Sequence, residues 1–265
     1  MKTKKLLILF ILNLFFFSSC KKNELKDDSV LHDYRVNNVL YSKNAKLKQI
    51  LSVESVNSEK NGLITSEYEY DEFRRISKVS NPLYENGKIV GVSFYTLYFY
   101  NDKNQLEKTM NYIYNQNSGF INGDNKIYFY DDKDNLLKIA IQSQNTDSIF
   151  YFYKYNLLSR EEYYSGFLNR VTTYTEYEYN IQNELIFETV YLAENNSISR
   201  TISHNYQEGL NVKTEVFVII TNLKKDKMRE IKRYYDNNDN LIYLDSKELT
   251  TYSSASSYVE KYEYH

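Results

Sequence analysis

Beyond about residue 39 the chain is written in short runs where large apolar and polar residues alternate, and the runs break at clusters of Asn, Asp and Lys. Alternation with a period of two puts successive side chains on opposite faces of a strand, and the polar clusters mark the turns. The runs share one core, a Tyr-x-Tyr followed by a polar stretch and a large aliphatic residue. It stands as Tyr68-Glu69-Tyr70, Tyr98-Phe99-Tyr100, Tyr128-Phe129-Tyr130, Tyr151-Phe152-Tyr153, Tyr177-Glu178-Tyr179 and Tyr262-Glu263-Tyr264. His204-Asn205-Tyr206 and Arg233-Tyr234-Tyr235 are degenerate copies, and Leu40-Tyr41 is a fainter one.

The second tyrosines fall at 41, 70, 100, 130, 153, 179, 206, 235 and 264, with spacings of 29, 30, 30, 23, 26, 27, 29 and 29. Self-similarity at such a period predicts stacked copies of one supersecondary unit. In six units five residues separate tyrosine from aliphatic: Tyr41 to Leu47, Tyr70 to Ile76, Tyr100 to Leu106, Tyr130 to Leu136, Tyr179 to Leu185 and Tyr235 to Leu241. Stretches such as Asp131-Asp132-Lys133-Asp134-Asn135 and Asp236-Asn237-Asn238-Asp239-Asn240 read as hairpin loops.

Residues 39–265 are therefore expected to form one all-β domain of about eight units, a repetitive antiparallel β-meander. Two strands per unit give roughly sixteen strands, and open twisted sheets rarely exceed about ten without curling. A curved or coiled sheet that partly closes is expected. Both tyrosines of each unit share a face, and cross-strand aromatic pairs contribute roughly 0.2 to 1 kcal/mol each. The middle residue reports on the other face: Glu69 and Glu178 in outer units, Phe99, Phe129 and Phe152 in central ones. These three phenylalanines are expected to be buried on a covered second face.

The repeat resembles the YD repeat of RHS-type proteins, written Tyr-x-Tyr-Asp-x-x-Gly-Arg-Leu, with the same five-residue gap. Asp71, Asp131 and Asp236 match its aspartate, and Asn101 and Asn180 are near equivalents. Its glycine is replaced by Asn104, Asp134, Asn183 and Asp239, the residues best able to adopt a left-handed backbone, and by Arg74 and Ala45, which are not. The units here are longer than the family's. The resemblance implies architecture only, because RHS shells are far larger and enclose a toxin.

The first nineteen residues break the β pattern. Lys2, Lys4 and Lys5 precede an apolar stretch from Leu6 to Phe17, interrupted only by Asn13, and Ser18-Ser19-Cys20 follow. This is the charged, apolar, small-residue order of an export signal. Its apolar core of about twelve residues falls short of the roughly twenty that span a bilayer. Phe17-Ser18-Ser19-Cys20 resembles the lipobox of bacterial lipoproteins, although that family usually has an aliphatic residue at the place of Phe17. The resemblance implies lipid attachment at Cys20, the chain's one cysteine, with two or three acyl chains tethering the mature protein to a membrane.

Residues 20–38, with Lys21, Lys22, Glu24, Lys26, Asp27 and Asp28, read as a polar tether. Lys21-Lys22-Asn23-Glu24 loosely resembles the surface-export signal of some Bacteroidota lipoproteins, so the location is read as the cell envelope, at the periplasmic face or the surface of the outer membrane.

Removing Lys2, Lys4 and Lys5 leaves 30 of the 33 basic residues against 35 acidic ones, a net charge of −5, which excludes the basic footprint of a nucleic-acid binder. The chain has 29 Tyr and 14 Phe but no Trp, one Pro and seven Gly, a strand-forming composition.

No catalytic, metal or cofactor residue is identified. His32, His204 and His265 lie outside any recognisable motif, and with Cys20 lipidated no Cys/His pair is left. The acidic loops superficially resemble calcium loops, yet they lack the EF-hand glycine and distal glutamate and recur wherever a hairpin turn is required. A glycosidase needs only two placed carboxylates, and nothing selects a pair. The expected function is a non-enzymatic scaffold or binding platform for an unidentified protein or glycan, with glycan binding by exposed tyrosines as the alternative.

Overall fold

The computed structural model describes residues 46–54, 62–142, 146–221, 224–249 and 257–264. Cys20, the export segment, the tether, His32, Tyr41, Ala45 and His265 lie outside them.

All regular structure among the described residues is β. The strands are β1 (Leu47–Val53), β2 (Leu63–Tyr70), β3 (Ile76–Glu85), β4 (Lys88–Tyr100), β5 (Leu106–Asn115) and β6 (Gly119–Asn122). They continue with β7 (Asn125–Tyr130), β8 (Leu136–Gln142), β9 (Ser148–Lys154), β10 (Leu157–Ser165), β11 (Arg170–Tyr179) and β12 (Leu185–Leu192). The last five are β13 (Ser197–Gln207), β14 (Leu210–Thr221), β15 (Lys224–Tyr235), β16 (Leu241–Glu248) and β17 (Tyr258–Tyr264).

Neighbours in sequence pair antiparallel around the whole sheet. The short β6 and β7 share one position beside β5, β6 opposite Tyr112–Asn115 and β7 opposite Lys108 and Thr109. β1 pairs with β2 on one side and with β17 on the other, from Leu47 opposite Tyr264 to Val53 opposite Val259. The meander is thus a closed barrel of 16 strand positions. The expected meander is present, but the curved or coiled outline gives way to full closure. Twist accumulates with each added strand, and pairing the first strand with the last removes the two open edges a coil would leave.

Each hairpin follows from its turn. Asn101 Oδ1 accepts from the backbone N–H of Lys103 (2.9 Å) and of Gln105 (3.0 Å), and the same pair of bonds recurs at Asp131, Asn180 and Asp236. The carboxylate or amide also binds the side chain four residues on, as Asp131 Oδ2 does with Asn135 Nδ2 at 2.9 Å. These oxygens are engaged by the turn itself, which is the role the sequence favoured over calcium ligation. The residue at the glycine slot has φ of +62° in Asn104, +65° in Asp134, +63° in Asn183 and +62° in Asp239, as expected, and Arg74 takes the same backbone at +67°. Two units lack the five-residue turn. Tyr155-Asn156 and Glu208-Gly209 turn in two residues, both with positive φ, as a type I′ hairpin requires.

The Tyr-x-Tyr face lines the inside. Leu47, Ile76, Leu106, Leu136, Leu185 and Leu241 are buried to 5% exposure or less, and Tyr68, Tyr128, Tyr177 and Tyr262 pack on the same face. In five units the second tyrosine reaches back one unit to donate its hydroxyl to a backbone carbonyl. Tyr70 donates to Leu47 (2.8 Å), Tyr100 to Ile76 (2.8 Å), Tyr130 to Leu106 (2.9 Å), Tyr235 to Asn211 (3.1 Å) and Tyr264 to Leu241 (2.7 Å). In these five units the tyrosine ladder is therefore a row of hydrogen-bonded ties between hairpins.

The middle phenylalanines overturn the burial expectation. Phe99, Phe129 and Phe152 are 42%, 46% and 45% exposed. Closure uses only one face of the sheet as its inside, so the opposite face of the central units stays wet. Truncating any one of the three to alanine is expected to cost about 1–2 kcal/mol, short of the 3–5 kcal/mol of a buried phenylalanine. Urea denaturation checks this, and a loss in the buried range would show that the outer face is covered after all.

Candidate functional site

The outside of the barrel is divided. Along β14 to β17 it is ionic: Lys213 and Lys227 bracket Glu215 and Glu230 at 2.5–3.2 Å, and Lys261 meets Glu263 at 3.0 Å. The Lys227 ammonium, aided by Lys213, pulls the Glu230 carboxyl down to about 2. From β3 to β9 the outside is aromatic.

In that half two hairpins run past their neighbours. β2 pairs with β3 only as far as Ser80, while β3 and β4 stay paired out to Glu85 and Lys88. β4 and β5 part at Phe94 and Ile113, while β5 and β6 stay paired out to Asn115 and Gly119. The two arms flank an open groove of about 820 Å³. Leu83, Val92, Leu97, Tyr95 and Phe120 form its apolar wall, and Lys78, Glu85 and Gln116 its polar lining. Tyr95 stacks on Tyr112 (4.7 Å between centroids, 15° between planes), and Phe120 meets Tyr95 edge-on at 4.9 Å, so the rings hold one another in place. Lys78 Nζ sits 5.7 Å above Tyr95 and 2.7 Å from Glu69. Such a surface can stack on a flat ligand and hydrogen-bond its rim.

The second site candidate is inside. In two adjacent units the first tyrosine is replaced, by His204 and by Arg233, and the structure joins the substitutes. His204 Nε2 lies 2.6 Å from Glu188 Oε1, and its Nδ1 lies 3.0 Å from both Thr214 Oγ1 and Asn211 Nδ2. Arg233 Nη1 donates to Thr214 Oγ1 (2.8 Å) and Asn211 Oδ1 (3.1 Å). Because the Asn211 amide nitrogen only donates, Nδ1 accepts and Nε2 carries the hydrogen given to Glu188.

Glu188 also faces Glu161. Burial, and then the Glu188 charge, push the Glu161 carboxyl up to about 7, while a 3.4 Å hydrogen bond from Tyr177 acts in the other direction. Burial and the charge of Glu161 raise the Tyr177 hydroxyl in turn. Carboxylate, imidazole and hydroxyl stand in the order of a hydrolase relay. Glu188, His204 and Thr214 are only 1%, 5% and 1% exposed, however, so they tie β12, β13 and β14 together out of reach of a substrate.

Sequence reasoning placed the turn residues and put the two tyrosines of each unit on one face, but missed both clusters. His204 reads in the sequence as a replaced repeat tyrosine, and the signal for the inner cluster is that two such replacements fall in consecutive units. For the groove the signal was the pair of thirty-residue spacings, whose extra length forms the projecting arms. Among the described residues no group of three or more His, Cys, Asp or Glu side chains is placed to hold a metal ion.

No family model matches the chain, and no curated protein matches it. Among solved structures it is similar to a porin-like protein from Bacteroides uniformis at 9% identity, over 71% of this chain and 96% of that one, with a TM-score of 0.41. A porin-like protein from Bacteroides vulgatus matches at 12% identity over 84% and 99%, with a TM-score of 0.40. The TcdB2-TccC3 structure without its hypervariable C-terminal region matches at 10% identity over 75% of this chain and 14% of that one, with a TM-score of 0.25.

Proposed function

We propose that the protein is a lipid-anchored β-barrel of the cell envelope that binds a ligand on its outer aromatic surface and catalyses no reaction on it. The observation that carries the reading is the groove between the two arms, where ring faces and three polar side chains meet on an open surface. Its lining supplies one carboxylate, Glu85, where glycoside hydrolysis takes two.

Anchoring rather than spanning is supported by the ion pairs on the outside of β14 and β15. A membrane-spanning barrel turns an apolar band outward, and charges on that band cost about 2–4 kcal/mol each at mid-bilayer. Attachment through Cys20 is expected from the lipobox. In cells fed a clickable fatty acid, Cys20→Ser should lose both label and membrane association, and a variant that stays in the membrane fraction would overturn the anchor. The YD-like units are the building blocks of this barrel on the same reading.

The groove is tested on a glycan array, since stacked tyrosines and a polar rim suit sugar rings. Saturable binding that falls at least tenfold in Tyr95→Ala and in Phe120→Ala is expected. Binding indifferent to both substitutions would remove the groove from the function.

A further inference from the structure

The outer face carries a second ordered feature, set by the repeat. In each central hairpin the exposed phenylalanine stands directly opposite a cation: Phe99 opposite Lys108, Phe129 opposite Lys138 and Phe152 opposite Arg160. The hairpins join through Lys108 opposite Ile127 and Lys138 opposite Phe150. Lys138 Nζ lies 5.8 Å above Phe129 and 5.3 Å above Phe150. The result is a belt around β4 to β10, at constant height above the turns, beginning beside the groove at Leu97 and Lys78.

From the spacing of strands and the residue rise, one phenyl ring and one cation recur about every 10–12 Å along it. Arg160 is neutralised by Glu162 at 2.7 Å and Glu176 at 3.7 Å, and Lys78 by Glu69. Among the described residues no carboxylate lies within ion-pair distance of Lys108 or Lys138, so the uncompensated charge sits at the middle of the belt.

We infer that this belt binds an acidic polysaccharide in which charged and uncharged sugars alternate. The inference rests on the reading of the outer face as a binding platform and names the ligand class. Exposed rings offer flat apolar faces to the C–H faces of sugar rings, and sparse cations suit a polymer with sparse charge. A flat membrane would touch a convex barrel along a line parallel to its axis, whereas the belt runs around the circumference, the path of a flexible polymer. Single-stranded nucleic acid bears a phosphate on every residue, more charge than two free lysines on an acidic protein would hold.

The test titrates the full chain, purified in detergent, with hyaluronan, with dextran as the neutral polymer and with oligodeoxythymidylate as the alternative polyanion. Hyaluronan should bind best, and the affinity should fall with added salt. It should weaken at least tenfold in Lys108→Gln/Lys138→Gln and in Phe99→Ala/Phe129→Ala, all four being surface changes. Equal binding of dextran, tighter binding of oligodeoxythymidylate, or double variants that bind like wild type would each overturn the assignment. If hyaluronan fails while the array still shows Tyr95-dependent binding, the belt assignment falls and the groove stands. Hyaluronan binding that depends on the belt but not on Tyr95 gives the reverse.

Discussion

Leu241→Ala is expected to destabilise the barrel by about 3–5 kcal/mol, the cost of an unrelaxed cavity at a fully buried leucine. Leu241 has no exposed surface and packs with Leu47, Ile50, Tyr68, Ile76 and Tyr262, which belong to β1, β2, β3 and β17 on either side of the closing ladder. The Tyr264 hydroxyl is bound to its carbonyl. A cavity here weakens the seam that turns a ribbon into a ring. The measurement is chemical denaturation at matched pH, beside Leu137→Ala, whose side chain is 43% exposed and should lose little. Comparable losses at both positions would show that the inner aliphatic row is not the core.

The second large effect is a pH dependence that comes from inside. Glu161 has its carboxyl raised from 4.5 to about 7 in the folded state, so the fold holds that proton more tightly than the unfolded chain does. Its contribution is fully present below pH 4.5 and is lost as pH rises through 7, to a total of about 3 kcal/mol at most. Glu260, raised by burial, acts with the same sign. Glu230, lowered to about 2, acts oppositely and weakens the fold only as pH falls below 4.5. Stability should therefore peak near pH 4.5–5. Glu161→Gln should flatten the alkaline side of that profile, and a variant whose melting temperature still falls between pH 5 and 8 as in wild type would rule out this origin.

Much of the fold was legible because it is written once per unit. A tyrosine pair, an Asp or Asn, a left-handed residue and an aliphatic recur in one order, and each has a local cause: face sharing, turn capping, backbone freedom and burial. Phe99, Phe129 and Phe152 misled because alternation says which residues share a face but not which face closes inward; closure is a property of the sixteenth strand position, not of any one unit. The inner cluster was illegible for a related reason. Glu188, His204, Asn211 and Arg233 are ordinary polar residues in strands and become a network only when register sets β12 to β15 side by side. The groove lies in the extra length of two units, and length alone does not say that their hairpins project past their neighbours.

The pairing of β1 with β17 also bears on when the chain can fold. Leu47 and Tyr264 stand opposite each other, so the ladder that completes the ring joins strands more than two hundred residues apart. Hairpins can form one by one as the chain emerges, but every partial barrel ends in two unpaired edges, each a template for a neighbouring chain. The protein is most exposed to misassembly until β17 has been made and paired with β1, and loss of that seven-residue strand alone would leave it in that vulnerable form.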